Sequence, residues 1–242
     1  MAAATFTSKF KKKETLAEGT MGFYFAKPAD FQFKAGQYMD LTLVDPPETD
    51  AEGNIRSFSI ASAPEEEHLL FATRMRNTAF KRFLRTAALD TEVKMEGPMG
   101  SFTLHNNSSK PAAFLAGGIG ITPFSSIIRH AVKAKLPHRL YLFYSNRRPE
   151  DAAFMDVLRQ SEKENPNFKF IPSMSEMNKS AQTWNGETGF INKEMLARHL
   201  AALQGPIYYV AGPPAMVAAM RQMLIGSSVD EDDIRTEEFA GY

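Results

Sequence analysis

The seven residues Gly117-Gly118-Ile119-Gly120-Ile121-Thr122-Pro123 lie between an apolar run at 112–116 and a stretch that carries Phe124, Ile127, Ile128, Ala131 and Val132 at helical spacing. They read as a glycine turn joining a buried strand to a helix. Glycine permits positive φ and lets a diphosphate come close to the backbone, while the free N–H groups at the helix start point toward such a ligand. Thr122 stands where a helix cap is expected. The third glycine of Gly-x-Gly-x-x-Gly is missing, which disfavours an ordinary dinucleotide-binding dehydrogenase.

Outward from this turn, apolar strand-like runs at 140–144, 168–171 and 207–210 alternate with helical patterns. Those patterns carry Phe154, Val157 and Leu158, then Leu196, Leu200 and Leu203, then Met216, Met220, Met223 and Leu224. Such alternation predicts a parallel sheet covered by helices on both faces. The rhythm differs on the N-terminal side of the polar stretch His105-Asn106-Asn107-Ser108-Ser109-Lys110-Pro111. There, Met39, Leu41 and Leu43 alternate with polar residues, and Leu69, Phe71, Thr73 and Met75 repeat the pattern. One helical interruption, at 79–88, places Phe80, Phe83, Leu84 and Ala87 on one face. Several short strands and a single helix predict a small closed antiparallel β-barrel. The expected organisation is two domains, a barrel at 1–106 and an α/β parallel-sheet domain at 107–242, with the acidic stretch 45–53 as a hairpin excursion.

Composition excludes several classes. Lys+Arg and Asp+Glu both number 28 in 242 residues, so no global field draws the chain to nucleic acid or an anionic membrane. Without cysteine there is no disulfide, thiolate metal site, cysteine nucleophile or cysteine-ligated iron-sulfur cluster on this chain. The histidines at 68, 105, 130, 138 and 199 show no paired ligand spacing, so no metal site is assigned. No run reaches the roughly 20 apolar residues of a membrane helix, and a cytoplasmic protein is expected. The basic run Lys9-Phe10-Lys11-Lys12-Lys13 reads as a solvated strand face, with docking of an acidic carrier as the alternative.

Three more segments bear chemistry. Arg56-Ser57-Phe58-Ser59 offers a cation, a flat apolar face and hydroxyls, the features a flavin requires at its pyrophosphate, its ring and N5. Arg74-Met75-Arg76-Asn77-Thr78-Ala79-Phe80-Lys81 runs from a strand into the barrel's helix, with Thr78 as N-cap and open N–H groups behind it. Val210-Ala211-Gly212-Pro213-Pro214-Ala215-Met216 is a second strand–turn–helix, with proline tolerated in the first turn.

Together with the glycine turn, these segments resemble the ferredoxin-NADP reductase superfamily over nearly the whole chain. The resemblance implies a flavin-binding β-barrel followed by a pyridine-nucleotide domain. It places Arg56, Ser57, Phe58 and Ser59 on the flavin, with Phe58 where relatives have tyrosine and Ser59 near N5. It places the flavin pyrophosphate at Thr78, Ala79, Phe80 and Lys81, where many relatives have serine instead of Lys81. Gly117, Gly118, Gly120, Ile121 and Thr122 fall on the pyridine nucleotide, Thr122 beside the nicotinamide. Asn146 and Arg147 fall near its adenosine portion. Ser175 and Glu176 occupy the loop that chooses between a ribose 2'-hydroxyl and a 2'-phosphate. An acidic Glu176 accepts from the hydroxyl and repels the phosphate, which tilts the expectation toward NADH, while Arg147 and Arg148 either offset it or are surface charges. Gly212 and Pro213 follow Ala211, which replaces the cysteine of many relatives. Phe239 or Tyr242 would return to cover the flavin, or Phe239 packs in the core, and the nearby glutamates read as exposed charges.

The implied function is an FAD-dependent NAD(P)H oxidoreductase in which nicotinamide C4 delivers hydride to flavin N5, with Ser59 and Thr122 as catalytic residues. Electrons would pass to a separate one-electron carrier protein or a small acceptor. FAD is preferred over FMN on the usage of relatives. The alternatives are a diaphorase reducing free flavins, quinones or similar acceptors, and a non-catalytic flavin-binding subunit or sensor.

Overall fold

The computed structural model describes residues 4–201, 203 and 205–239. Its first sheet contains β1 (Ala4–Ala17), β2 (Thr20–Ala26), β3 (Tyr38–Leu43), β4 (Ile55–Ser59), β5 (His68–Arg74) and β6 (Glu92–Met99). The order is β4-β3-β6-β1-β2-β5, and every pair is antiparallel. Met39, Leu41 and Leu43 point inward with Phe10, Phe23, Phe25, Phe71 and Met95, as period-two alternation requires. Helix α1 (Ala79–Thr86) closes this core with Phe80 and Leu84. Thr78 caps α1 by accepting from the Lys81 N–H at 3.4 Å, and the chain leaves helical geometry at Ala87.

The sheet curls without closing into a full barrel. No ladder joins the end strands β4 and β5; one backbone bond, Ala61 N–H to Leu70 O at 2.8 Å, links the chain beyond β4 to β5. The carbonyls of Ala61 and Ser62 turn away to the second domain, where they accept from the Ser125 and Ser126 hydroxyls at 3.0 and 2.6 Å. Beyond β4 the chain is held by these bonds to α2 in place of a continued ladder to β5.

The second sheet contains β7 (Ala112–Gly117), β8 (Leu140–Asn146), β9 (Phe168–Met174), β10 (Glu187–Thr188), β11 (Ile207–Gly212) and β12 (Ile234–Glu238). It is parallel throughout, in the order β10-β9-β8-β7-β11-β12. Four helices cover it: α2 (Thr122–Lys133), α3 (Met155–Glu164), α4 (Lys193–Leu200) and α5 (Pro214–Ile225). The central strand shows why both faces are covered. Ala112, Phe114 and Ala116 belong to one core with Phe124, Ile128 and Leu158, while Ala113 and Leu115 belong to another with Leu196, Val217 and Leu224.

Besides Ala87 at the end of α1, two expected helix members fall outside helices. Phe154 precedes α3 in a left-handed conformation, φ 63°, and Leu203 lies beyond the end of α4. The first of the two α/β cores also takes in Ala35, Ala61, Leu70, Ala72 and Phe102 from the N-terminal half, so the two sheets share packed apolar contact. No helix among the described residues is long and apolar enough to cross a membrane.

Candidate active site

The C-terminal ends of β7, β8, β9 and β11 point the same way, toward the curled sheet. The connection order reverses between β7 and β11, so a crevice forms at the topological switch point where open α/β sheets bind ligands. Two clefts meet there, and Ile119 lines both.

The first cleft, of about 140 Å³, lies between β4, the start of α1 and the glycine turn. Arg56, Ser57, Phe58, Ser59, Arg76, Thr78 and Lys81 line one side, and Ile119, Thr122 and Phe239 the other. Phe58 is half-buried against Phe71 and Phe80, at ring separations of 6.2 and 5.9 Å, and Arg56 lies over the Phe80 ring at 5.3 Å. Ser59 and Thr122 are buried, at 4% and 2% exposure, and approach from different domains. Thr122 is the first residue of α2 and not its side-chain cap: its hydroxyl donates back to Ile119 O at 3.1 Å, which leaves its oxygen as an acceptor. The Lys81 ammonium donates to Arg74 O at 2.7 Å, and burial, followed by repulsion from Arg76, lowers its pKa. Phe239 is held at the mouth by its backbone N–H, which donates to Gly212 O at 3.0 Å, and its side chain also packs on the core. Tyr242 lies outside the described residues.

The second cleft, of about 430 Å³, is lined by Gly117, Gly118, Ser145, Asn146, Arg147, Ser175, Pro213 and Met216. The three glycines of the turn, of which Gly117 and Gly118 line this cleft, have different duties. A Cβ on Gly117 would strike Met216 Sδ, and one on Gly120 would strike the carbonyl of Ala211. Those two permit close packing, whereas Gly118, at φ +53° with nothing within 4 Å, presents open backbone. The buried Asn146 amide nitrogen has no hydrogen-bond partner among the described residues, which suits an acceptor entering the cleft. Arg147 is 70% exposed at its side chain, while Arg148 is held by Asp151 at 2.8 Å and Glu18 at 2.9 Å. That pairing, more than solvent exposure, accounts for Arg148.

Several expectations require correction. Ile121 is fully buried in the core, so its side chain cannot reach a ligand, and Ile119 takes the place on the cleft wall. Ala79 and Phe80 are buried too, and only the Ala79 N–H is directed outward, to Asp50 Oδ2 at 2.6 Å. Glu176 is not a lone charge: it pairs with Lys179 at 2.8 Å and lies 3.9 Å from Arg147, and its pKa is lowered chiefly by Lys179, so it stays an ionised acceptor. Glu237 is no fully exposed charge: it is half-buried, its Oε2 is buried without a hydrogen-bond partner among the described residues, and burial pushes its pKa up to about 7.

Other residues escaped the sequence reading. Phe190 lines the second cleft yet is 75% exposed, an aromatic face next to a polar opening. Its signal was weak, a lone aromatic after Gly189 in an irregular stretch. Arg74 and Asp151 also line this cleft, and Glu52 the first. Among the described residues no group of three or more His, Asp or Glu side chains could hold a metal ion.

A family profile described as "Oxidoreductase NAD-binding domain" matches residues 114–222. The ferredoxin--NADP reductase B of Sorangium cellulosum is 28% identical over 214 residues, covering 85% of this chain and 84% of that protein. The chain thus carries a segment that matches an oxidoreductase NAD-binding domain, and it is similar to a ferredoxin--NADP reductase over most of its length. The propane 2-monooxygenase reductase component of Mycolicibacterium smegmatis is 29% identical over 218 residues, covering 88% of this chain and 61% of that protein. The chain spans about half to three-fifths of the length of this and other curated relatives it matches. A solved ferredoxin NADP+ reductase from Neisseria gonorrhoeae, with bound FAD and NADP, shares the fold with a TM-score of 0.78. It is 19% identical, and the match covers 97% of this chain and 98% of that one.

Proposed function

We propose that this chain is a ferredoxin-NADP reductase-like protein that binds a flavin, FAD by preference, in the first cleft and a pyridine nucleotide in the second, and passes electrons from NAD(P)H to a separate acceptor. One observation carries the reading: the two clefts share the Ile119 wall, and the buried Ser59 and Thr122 line the first of them from opposite domains. Residue chemistry fits both ligands. Arg56 and the open Ala79 N–H already hold carboxylates, so they form an anion site, and Gly118 and the unpartnered Asn146 amide suit a nucleotide. A bound flavin would supply a group that accepts two electrons and releases them singly.

The chain's own contribution is positioning and polarity. Phe58 offers a flat apolar wall, and Ser59 a hydroxyl in a site largely shielded from water. Thr122 presents an acceptor oxygen at the start of α2. Phe239 shields the mouth and must yield when nicotinamide enters. Phe190 offers its face to an adenine ring. The acceptor is proposed to be a carrier protein, by analogy with relatives named as reductase components. Preference for NADH is proposed from Glu176, and cytoplasmic location from the use of a soluble reduced nucleotide.

The deciding experiment is anaerobic stopped-flow reduction of the flavin-loaded protein by NADH and by NADPH. Rapid bleaching is expected, faster with NADH. No bleaching with either would leave a non-catalytic flavin binder, and a clear NADPH advantage would reverse the Glu176 argument. Turnover with small acceptors compared with one-electron carriers then separates a diaphorase from a carrier reductase.

A further inference from the structure

The hairpin between β3 and β4 carries Glu48, Asp50 and Glu52 at alternate positions, and each clasps a cationic group of the barrel. Glu48 Oε1 and Oε2 accept from Arg82 at 2.7 and 2.8 Å. Asp50 Oδ2 accepts from the Ala79 N–H at the start of α1 at 2.6 Å, and its other oxygen lies 4.0 Å from Arg56. Glu52 Oε2 accepts from Arg56 at 2.7 Å. Arg56 Nη1 also donates to the carbonyls of Glu52, Gly53 and Ile55 at 2.7, 3.3 and 2.7 Å. Glu52 is the one acidic side chain lining the first cleft, opposite Arg56, Arg76 and Lys81.

These contacts fall on the groups that the proposed function assigns to the flavin pyrophosphate: the Arg56 guanidinium and the N-terminus of α1. An arginine with both terminal nitrogens engaged and a helix N–H already capped by a carboxylate cannot take phosphate oxygens at those same donors until the carboxylates withdraw. The loop can withdraw, because Glu48 and Glu52 are exposed and it is anchored mainly by these polar contacts.

We propose that Asp50 and Glu52 are an intramolecular stand-in for the flavin pyrophosphate, so that loop 45–53 competes with the flavin and makes it an exchanging ligand. This rests on the flavin reading of the first cleft and specifies how that site is regulated. Exchange of one anion for another keeps the charge of the cleft nearly constant and protects its cations when flavin is absent. Apparent affinity is reduced by the fraction of molecules with the loop withdrawn.

The test uses the full chain freed of flavin, titrated with FAD, FMN and riboflavin by fluorescence quenching. The double variant Asp50→Asn, Glu52→Gln is expected to bind FAD and FMN at least about tenfold more tightly than the wild type, with riboflavin unchanged, because the open fraction rises toward one. Asp45→Asn removes a charge from the same loop at a residue with no ion pair among the described residues, and should leave affinity unaltered. In the wild type, amide exchange in 45–54 should quicken when FAD binds. Equal FAD affinity in wild type and double variant overturns the inference, as does equal tightening by Asp45→Asn, which would reduce the effect to general repulsion. Slower loop exchange on FAD binding overturns it too. Failure of both wild type and double variant to bind FAD, FMN or riboflavin instead overturns the flavin reading beneath it.

Discussion

Ser59 shows how little chemistry a single side chain needs when its surroundings are prepared. It ends β4, is buried at 4% exposure, and faces a cleft whose other wall carries Thr122. Ser59→Ala should preserve the fold and flavin occupancy while slowing flavin reduction. Loss of an aligned polar group at a developing charge costs on the order of 2.7 to 4 kcal/mol at most. Stopped-flow reduction at full flavin loading checks this, and unchanged kinetics would remove Ser59 from the site.

Glu237 is the second informative residue. Burial raises its pKa from 4.5 to about 7, so the folded state favours the neutral acid. Its contribution to stability is fully present below about pH 4.5 and is lost as pH rises through about 7. At about 1.4 kcal/mol per pH unit, the loss is roughly 3 kcal/mol at most. Glu237→Gln should flatten the melting temperature across that window and raise it on the alkaline side. Melting curves with the same slope as the wild type would show that another group titrates.

At the scale of elements, the glycine turn divides its work by position. Gly120 sits under the carbonyl of Ala211, so Gly120→Ala forces backbone against backbone and should lower stability by about 1–3 kcal/mol. Gly118 has open space but a left-handed φ of +53°, and alanine there should cost only about 1 kcal/mol. The fold should survive Gly118→Ala, while the added methyl crowds the nucleotide cleft and weakens NADH binding. Thermal melts and nucleotide titrations distinguish the two substitutions. If Gly118→Ala proved the more destabilising, the division of labour argued from contacts would be wrong.

At the scale of the molecule, the two sheets are held in one fixed relation. Ser125 and Ser126 of α2 donate to Ala61 O and Ser62 O, and Arg129 meets Glu66 at 2.6 Å with both side chains mostly buried. Arg235 donates to Thr103 O at 3.0 Å from the opposite end. Ala35, Leu70, Ala72 and Phe102 enter the core of the α/β half. This joint aligns the clefts, because it sets β4 against the glycine turn. Calorimetry of the flavin-free chain should therefore show one cooperative transition. Two resolved transitions would mean that the halves melt independently and that the shared core contributes little.

Local pattern determined much of this protein. The alternation of Met39, Leu41 and Leu43, the apolar strands followed by helices, and the cap at Thr78 depend on neighbours within a few residues. They could be read from the chain because strand and helix periods are local properties. The grouping of Arg56, Ser59, Gly118 and Thr122 was legible through their resemblance to one family's order of motifs. Tertiary structure alone decided that Ile121 faces the core and Ile119 the clefts, since a one-turn 3-10 segment has no period to reveal its orientation. It alone placed Phe190 at the second cleft, half-buried Glu237, and laid Asp50 and Glu52 on Arg56 and α1. Glu237 and its surroundings meet across more than a hundred residues of chain, and an acidic residue in a loop carries no mark of the cation it will meet. Contacts of that range exist only after the two sheets have docked.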